Sequence, residues 1–150
     1  MKDTIALILV RLTVATEQAL FLMLAADGSI NRSGDGSTNN EDHDMFIGIT
    51  KLPLFDRLRE KVPQAWFSHL GGYEVPDQKG LPCELTIVMK HTDGQESGLV
   101  FRYGSESQGP PGDVCQFVTD AVAITSIWYE EQKKMIAKAN VKSKPWWKFW

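Results

Sequence analysis

Residues 4–14 (TIALILVRLTV) constrain the fold more than any other stretch, because both alternating faces are apolar except at Arg11 and Thr13. Aliphatic and β-branched residues at this density favour a strand over a helix, and apolar side chains on both faces predict a strand buried on two sides. The next run, residues 19–26 (ALFLMLAA), has a helical composition of Leu, Met and Ala. Asp27-Gly28 tips it to a strand. Asp-Gly between two runs signals a hairpin whose type I′ turn needs positive φ at both positions. Ser29–Asn31 then returns beside Leu24–Ala26.

Residues 33–44 (SGDGSTNNEDHD) contain no aliphatic or aromatic side chain and read as a loop. Residues 45–50 (MFIGIT) form another short strand. Pro53 suits the first position of a helix carrying Leu54, Phe55, Leu58 and Val62, and Pro63 ends or kinks it. A second short helix through Trp66, Phe67 and Leu70 stops at a Gly71-Gly72 C-cap. Residues 73–82 are a loop. Glu84–His91 and Glu96–Tyr103 make a second hairpin around Asp93-Gly94. After the loop at 104–112, Asp113 and Gln116 form a capping box. The helix that follows carries an apolar stripe of Val114, Phe117, Val118, Ala121, Val122, Thr125, Ile127 and Trp128. Continued through Ala139 it is about 40 Å long.

Strands and helices are segregated in this order, so the expected class is α+β. The expected architecture is an antiparallel sheet built from hairpins, with a Pro-kinked helix and a long C-terminal helix packed on one face. One domain covers residues 1–139, and residues 140–150 form a basic, Trp-rich tail. A chain of 150 residues buries enough surface to need no disulfide or metal staple.

The net charge of −3 conceals a division. Ten basic and nineteen acidic residues give residues 1–131 a charge of −9, while six lysines give residues 132–150 a charge of +6. That excludes a uniformly basic nucleic-acid binder. Cys83 and Cys115 are too few for a disulfide framework and fit reduced thiols. The apolar run at residues 5–10 is cut short by Arg11, and neither N-terminal run approaches the roughly 20 residues of a membrane span. A bacterial, cytoplasmic protein is expected.

Four features of the sequence could carry chemistry. Residues 104–109 (GSESQG) have the glycine spacing of a phosphate loop, but Pro110 and Pro111 replace the lysine and hydroxyl such a loop requires. The stretch 27–44 carries Asp27, Asp35, Glu41, Asp42 and Asp44 against Arg32, a net of −4. Its EF-hand register fails from Asp27, where Arg32 and Thr38 stand in for glycine and glutamate, and from Asp35, where Asn40 and Phe46 do. His43 has no His-x-x-x-His or Cys-x-x-Cys pattern to complete a metal site. Cys115, near a helix N-terminus, is a candidate nucleophile if His43, His69 or His91 supplies the base. Glu130 and Glu131 are adjacent on a helix, diverge by about 100° and read as solvated surface.

The fourth feature is the tail. Lys142, Lys144 and Lys148 interleave with Trp146, Trp147, Phe149 and Trp150. Buried aromatic anchors flanked by steering charges favour docking on protein, either a second copy or another partner. An anionic membrane surface is an alternative, and nucleic acid is disfavoured. The candidate partner-binding residues are therefore Trp146, Trp147, Phe149, Trp150, Lys144 and Lys148. Arg102, Tyr103, Ser105, Glu106 and Ser107 around the 104–112 loop form a second candidate surface. No catalytic, cofactor or metal signature is complete. The expected function is a non-catalytic protein-interaction or accessory module. The alternatives are a thiol-centred enzyme near Cys115 and the 104–112 loop, and a peripheral membrane protein.

Overall fold

The computed structural model describes residues 1–38 and 44–143, with side chains described up to residue 137. Among the described residues, seven strands form one sheet: β1 Ile5–Val14, β2 Glu17–Ala25, β3 Ser29–Gly34, β4 Phe46–Ile49, β5 Gly71–Glu74, β6 Pro82–His91 and β7 Glu96–Gly104. Helix α1 spans Leu54–Glu60 and α2 spans Gly112–Ser143, with 3₁₀ turns at Lys2–Thr4 and Gln64–Ser68. The strand order is β4-β3-β2-β1-β6-β7-β5. The class is α+β, and α2 packs against the sheet.

One sheet face makes the core. Ile8, Val10, Leu20, Leu22, Leu24, Ile87 and Met89 are buried there with Leu54, Phe55 and Leu58 of α1 and Val114, Phe117, Ala121, Trp128 and Tyr129 of α2. Helix α2 crosses the sheet from its β7 side to its β4 edge. Phe117 meets the Trp66 ring edge-on at 5.0 Å, whereas Tyr129 meets Phe46 of β4 at 5.5 Å. Residues 112–129 cover about 26 Å of helix, close to the sheet's width of about 29 Å. Beyond Tyr129 the helix runs past the sheet edge, where Met135 and Ile136 are exposed.

Several expectations change. The sheet is mixed rather than purely antiparallel, because β5 pairs parallel with β7. Gly71 and Gly72 open that strand instead of capping a helix, and Trp66 and Phe67 lie in a 3₁₀ turn. Pro53 is the N-cap of α1 rather than its first residue, and the helix ends before Pro63. Strand β3 reaches Gly34, into the stretch read as loop. Helix α2 begins at Gly112, one residue before the expected cap. The Asp113 carboxylate accepts from the Val114 N–H at 2.9 Å, while the Gln116 amide donates to Asp120 at 3.0 Å, so no capping box forms. Ile127 lies off the buried stripe, 59% exposed.

Both Asp-Gly hairpins form, with a different turn. Only the glycines take positive φ, 96° at Gly28 and 88° at Gly94. The Gly28 and Gly94 N–H groups donate to Ala25 and His91 carbonyls, while Asp27 and Asp93 accept from Ser29 and Gln95. The aspartates thus serve as side-chain acceptors in longer turns rather than as left-handed residues.

Candidate functional site

The 3₁₀ turn, β5, β7 and the first turn of α2 enclose a groove of about 570 Å³. Trp66, Tyr73, Phe101, Tyr103, Pro110 and Pro111 form much of its wall, with His69, Glu74 and Asp113 at polar positions. Each wall is held in place. Tyr73 stacks on Phe101 with ring centres 5.3 Å apart and donates its hydroxyl to the His69 carbonyl. The Trp66 indole N–H donates to Asp113 at 2.9 Å, tying the 3₁₀ turn to α2. Strand β5 is the sheet's last strand on this side, so an open strand edge adjoins the apolar pocket. Strand addition beside side-chain pockets is a common mode of peptide capture.

The expected loop residues divide between this groove and a neighbouring clasp. Arg102 and Tyr103 line the groove. Arg102 donates to Glu84 at 3.1 Å and to Glu74 at 3.3 Å, and these carboxylates, Glu84 foremost, hold it charged. Burial pushes the Tyr103 hydroxyl up to about 12, with Cys83 and Cys115 adding to the shift. Ser105 and Ser107 satisfy local backbone: Ser105 accepts from the Leu81 N–H at 2.9 Å, and Ser107 accepts from the Gly104 N–H at 2.8 Å. Ser105 and Glu106 N–H groups bond Leu81 and Lys79 carbonyls, locking the two loops together. Glu106 and Ser107 border a second depression with Val75, Asp77 and Lys79.

The thiol reading finds an exposed Cys115 whose Sγ contacts the Pro110 carbonyl at 3.5 Å. Among the described residues no histidine bonds it. His91 is buried, with one ring nitrogen 2.7 Å from the Thr4 hydroxyl and the other 2.7 Å from the Ser97 hydroxyl. His69 lines the groove. Glu41, Asp42 and His43 lie outside the described residues, as do Lys144, Trp146, Trp147, Lys148, Phe149 and Trp150. Among the described residues no three His, Cys, Asp or Glu side chains gather in a metal-holding group, and no helix is long and apolar enough to cross a membrane.

No family model, curated protein or solved structure matches the chain. The groove and the chemistry of its walls are what bear on function.

Sequence reasoning missed the groove because its walls come from four separated segments. A partial signal existed in the exposed-aromatic residue Tyr73 next to Gly71-Gly72, a pair read as helix punctuation.

Proposed function

We propose that the protein is a non-catalytic interaction module in which the aromatic–basic segment 144–150 docks on another molecule. The observation that carries this reading is the aromatic, proline-walled groove beside an open strand edge. The groove of a second copy is a fitting receptor. Trp146, Trp147 and Trp150 offer flat apolar rings for its walls. Lys144 and Lys148 complement Glu74 and the −9 charge of residues 1–131.

Reach supports an encounter between chains. Gly112 lies between the groove residues Pro111 and Asp113, and the 31 steps to Ser143 carry the helix about 46 Å away. The seven residues after Ser143 span at most about 25 Å. A chain's own tail therefore falls about 20 Å short of its own groove. Two free thiols support a reducing compartment such as the cytoplasm. The exposed Cys115, bonded to a carbonyl rather than a base, favours the interaction reading over a thiol enzyme.

Photo-crosslinking tests the reading. Trp147 is replaced by benzoylphenylalanine in isotopically heavy chains, which are mixed with light chains. Heavy–light crosslinks from position 147 to residues 66–76 or 108–113 are expected. Crosslinks confined to one chain, or to added anionic vesicles, would contradict it.

A further inference from the structure

We infer that the uncovered face of the sheet is the contact surface of a two-fold dimer of this chain. The inference rests on the sheet and is independent of the tail and groove. Leu7, Leu9, Phe21, Met23, Val88 and Val100 alternate with the core residues and point to the opposite face. All six are partly exposed and none belongs to the hydrophobic core. Strand register places them side by side. Leu9 lies opposite Met23 on one flank and Val88 on the other, while Phe21 and Thr86 flank Arg11. The row continues from Met23 through Asn31 to Ile47 at the edge. Ile47 and Ile49 of β4 are 75% and 76% exposed. Among the described residues no helix covers this face.

An antiparallel sheet with one wet face normally alternates apolar with polar residues. Strands β1 and β2 do not, which is why the sequence of β1 reads as buried on both sides. The apolar cluster around Leu9, Met23 and Val88, rimmed by Arg11, Thr86, Glu84 and Asn31, has the apolar centre and polar border of an interface. The area fits a second copy. Four strands of nine or ten residues cover about 600 Å² at usual strand dimensions. The three short strands bring the whole face, its apolar centre and its charged margin at Glu74, Lys90, Glu96 and Arg102 together, to about 800 Å², comparable to the roughly 800 Å² each partner contributes to a stable complex.

The face is also self-complementary in charge. The exposed Arg11 guanidinium stands among the apolar side chains with no ion pair or side-chain hydrogen bond among the described residues. Glu84, which accepts from Arg102 of the same face at 3.1 Å and would be shared between two guanidinium groups, lies diagonally across on β6, since Arg11 pairs with Thr86 and Thr13 with Glu84. An isologous interface repeats every contact twice. A two-fold axis bisecting the Arg11–Glu84 diagonal sets each guanidinium over the opposite copy's carboxylate. Burial then leaves neither Arg11 unpaired, which a purely apolar partner would not achieve.

Sedimentation of the full chain carrying Trp146→Ala, Trp147→Ala and Trp150→Ala separates this inference from tail docking. The expected species at tens of micromolar is a dimer of the 16.8 kDa chain. Adding Leu9→Glu or Met23→Glu is expected to raise the dimer dissociation constant more than tenfold, with unchanged circular dichroism. Hydroxyl-radical footprinting of the unsubstituted chain is the second measurement. Met23 is expected to be protected at high concentration and oxidised on dilution. A monomer with concentration-independent Met23 oxidation overturns the inference. So does a dimer indifferent to Leu9→Glu, or vesicle flotation that Leu9→Glu abolishes.

Discussion

The guanidinium of Arg32 lies 4.5 Å from the centre of the Tyr129 ring. Arg32 is 1% exposed, and burial pulls its pKa down. It donates to the Gly34 carbonyl and the Thr125 hydroxyl, both at 2.8 Å, and to the Val122 carbonyl at 3.2 Å. Tyr129 in turn accepts from the Gly34 N–H at 3.0 Å. The pair clamps the end of β3 to α2. Arg32→Met removes all three donated bonds from buried acceptors, of which the Val122 carbonyl keeps its bond from Ser126, so it is expected to cost about 2–4 kcal/mol in urea unfolding. Arg32→Lys keeps the charge but loses the planar fork, and is expected to recover less than half of that loss. A cost below about 1 kcal/mol for Arg32→Met would show that the clamp contributes little.

Tyr103 sets an alkaline limit on stability. Its pKa is raised to about 12 in the folded protein, above the ordinary 10, so the folded state holds the proton more tightly. The resulting stabilisation is complete below pH 10 and is lost as pH rises through about 12. Unfolding free energy should fall over that window, and Tyr103→Phe should flatten the fall. Parallel curves for the two proteins would refute the assignment.

Asp113 joins two elements through one carboxylate. Its oxygens accept from the Trp66 indole and from the Val114 N–H. Asp113→Ala is expected to cost about 1–2 kcal/mol, measurable by thermal unfolding. Trp66 should also become more accessible to acrylamide quenching. Unchanged quenching would show that the indole bond does not hold this wall of the groove.

Gly48 sits on the edge strand beneath α2. A Cβ there would stand 2.9 Å from Cζ2 of Trp128, which is buried. Gly48→Ala must displace that ring, at an expected cost of about 1–3 kcal/mol, with a changed near-ultraviolet dichroism. Wild-type stability in Gly48→Ala would mean that Trp128 has room to move.

Local patterning made much of this fold legible. Strand β1, both Asp-Gly hairpins and the stripe of α2 all follow from side-chain period and turn chemistry, although β1 is buried on one face only and not on the two its apolar run predicts. What escaped depends on tertiary contact. Strand β5 has no pattern of its own: Gly71-Gly72-Tyr73-Glu74 becomes a strand because β7 offers it an edge. The β1–β2 turn at Ala15–Thr16 lacks glycine, yet Ala15 takes a φ of 55°. Arg32 reads as the lone base of an acidic loop and is instead buried under α2. The expected loop surface was partly legible, since Arg102 and Tyr103 line the groove. Ser105 instead spends its hydroxyl on the facing loop at Leu81, and Ser107 spends its own on Gly104 within the same turn.

The central claim is that segment 144–150 docks in the groove of another chain. The most direct measurement is fluorescence anisotropy of a labelled peptide spanning residues 142–150. It is titrated with full-length protein carrying Trp146→Ala, Trp147→Ala and Trp150→Ala. Saturable binding is predicted, competed by unlabelled peptide and lost when Tyr73→Lys removes a ring from the groove wall and repels the peptide's lysines. No saturable rise in anisotropy, or equal binding by the Tyr73→Lys protein, would contradict the account.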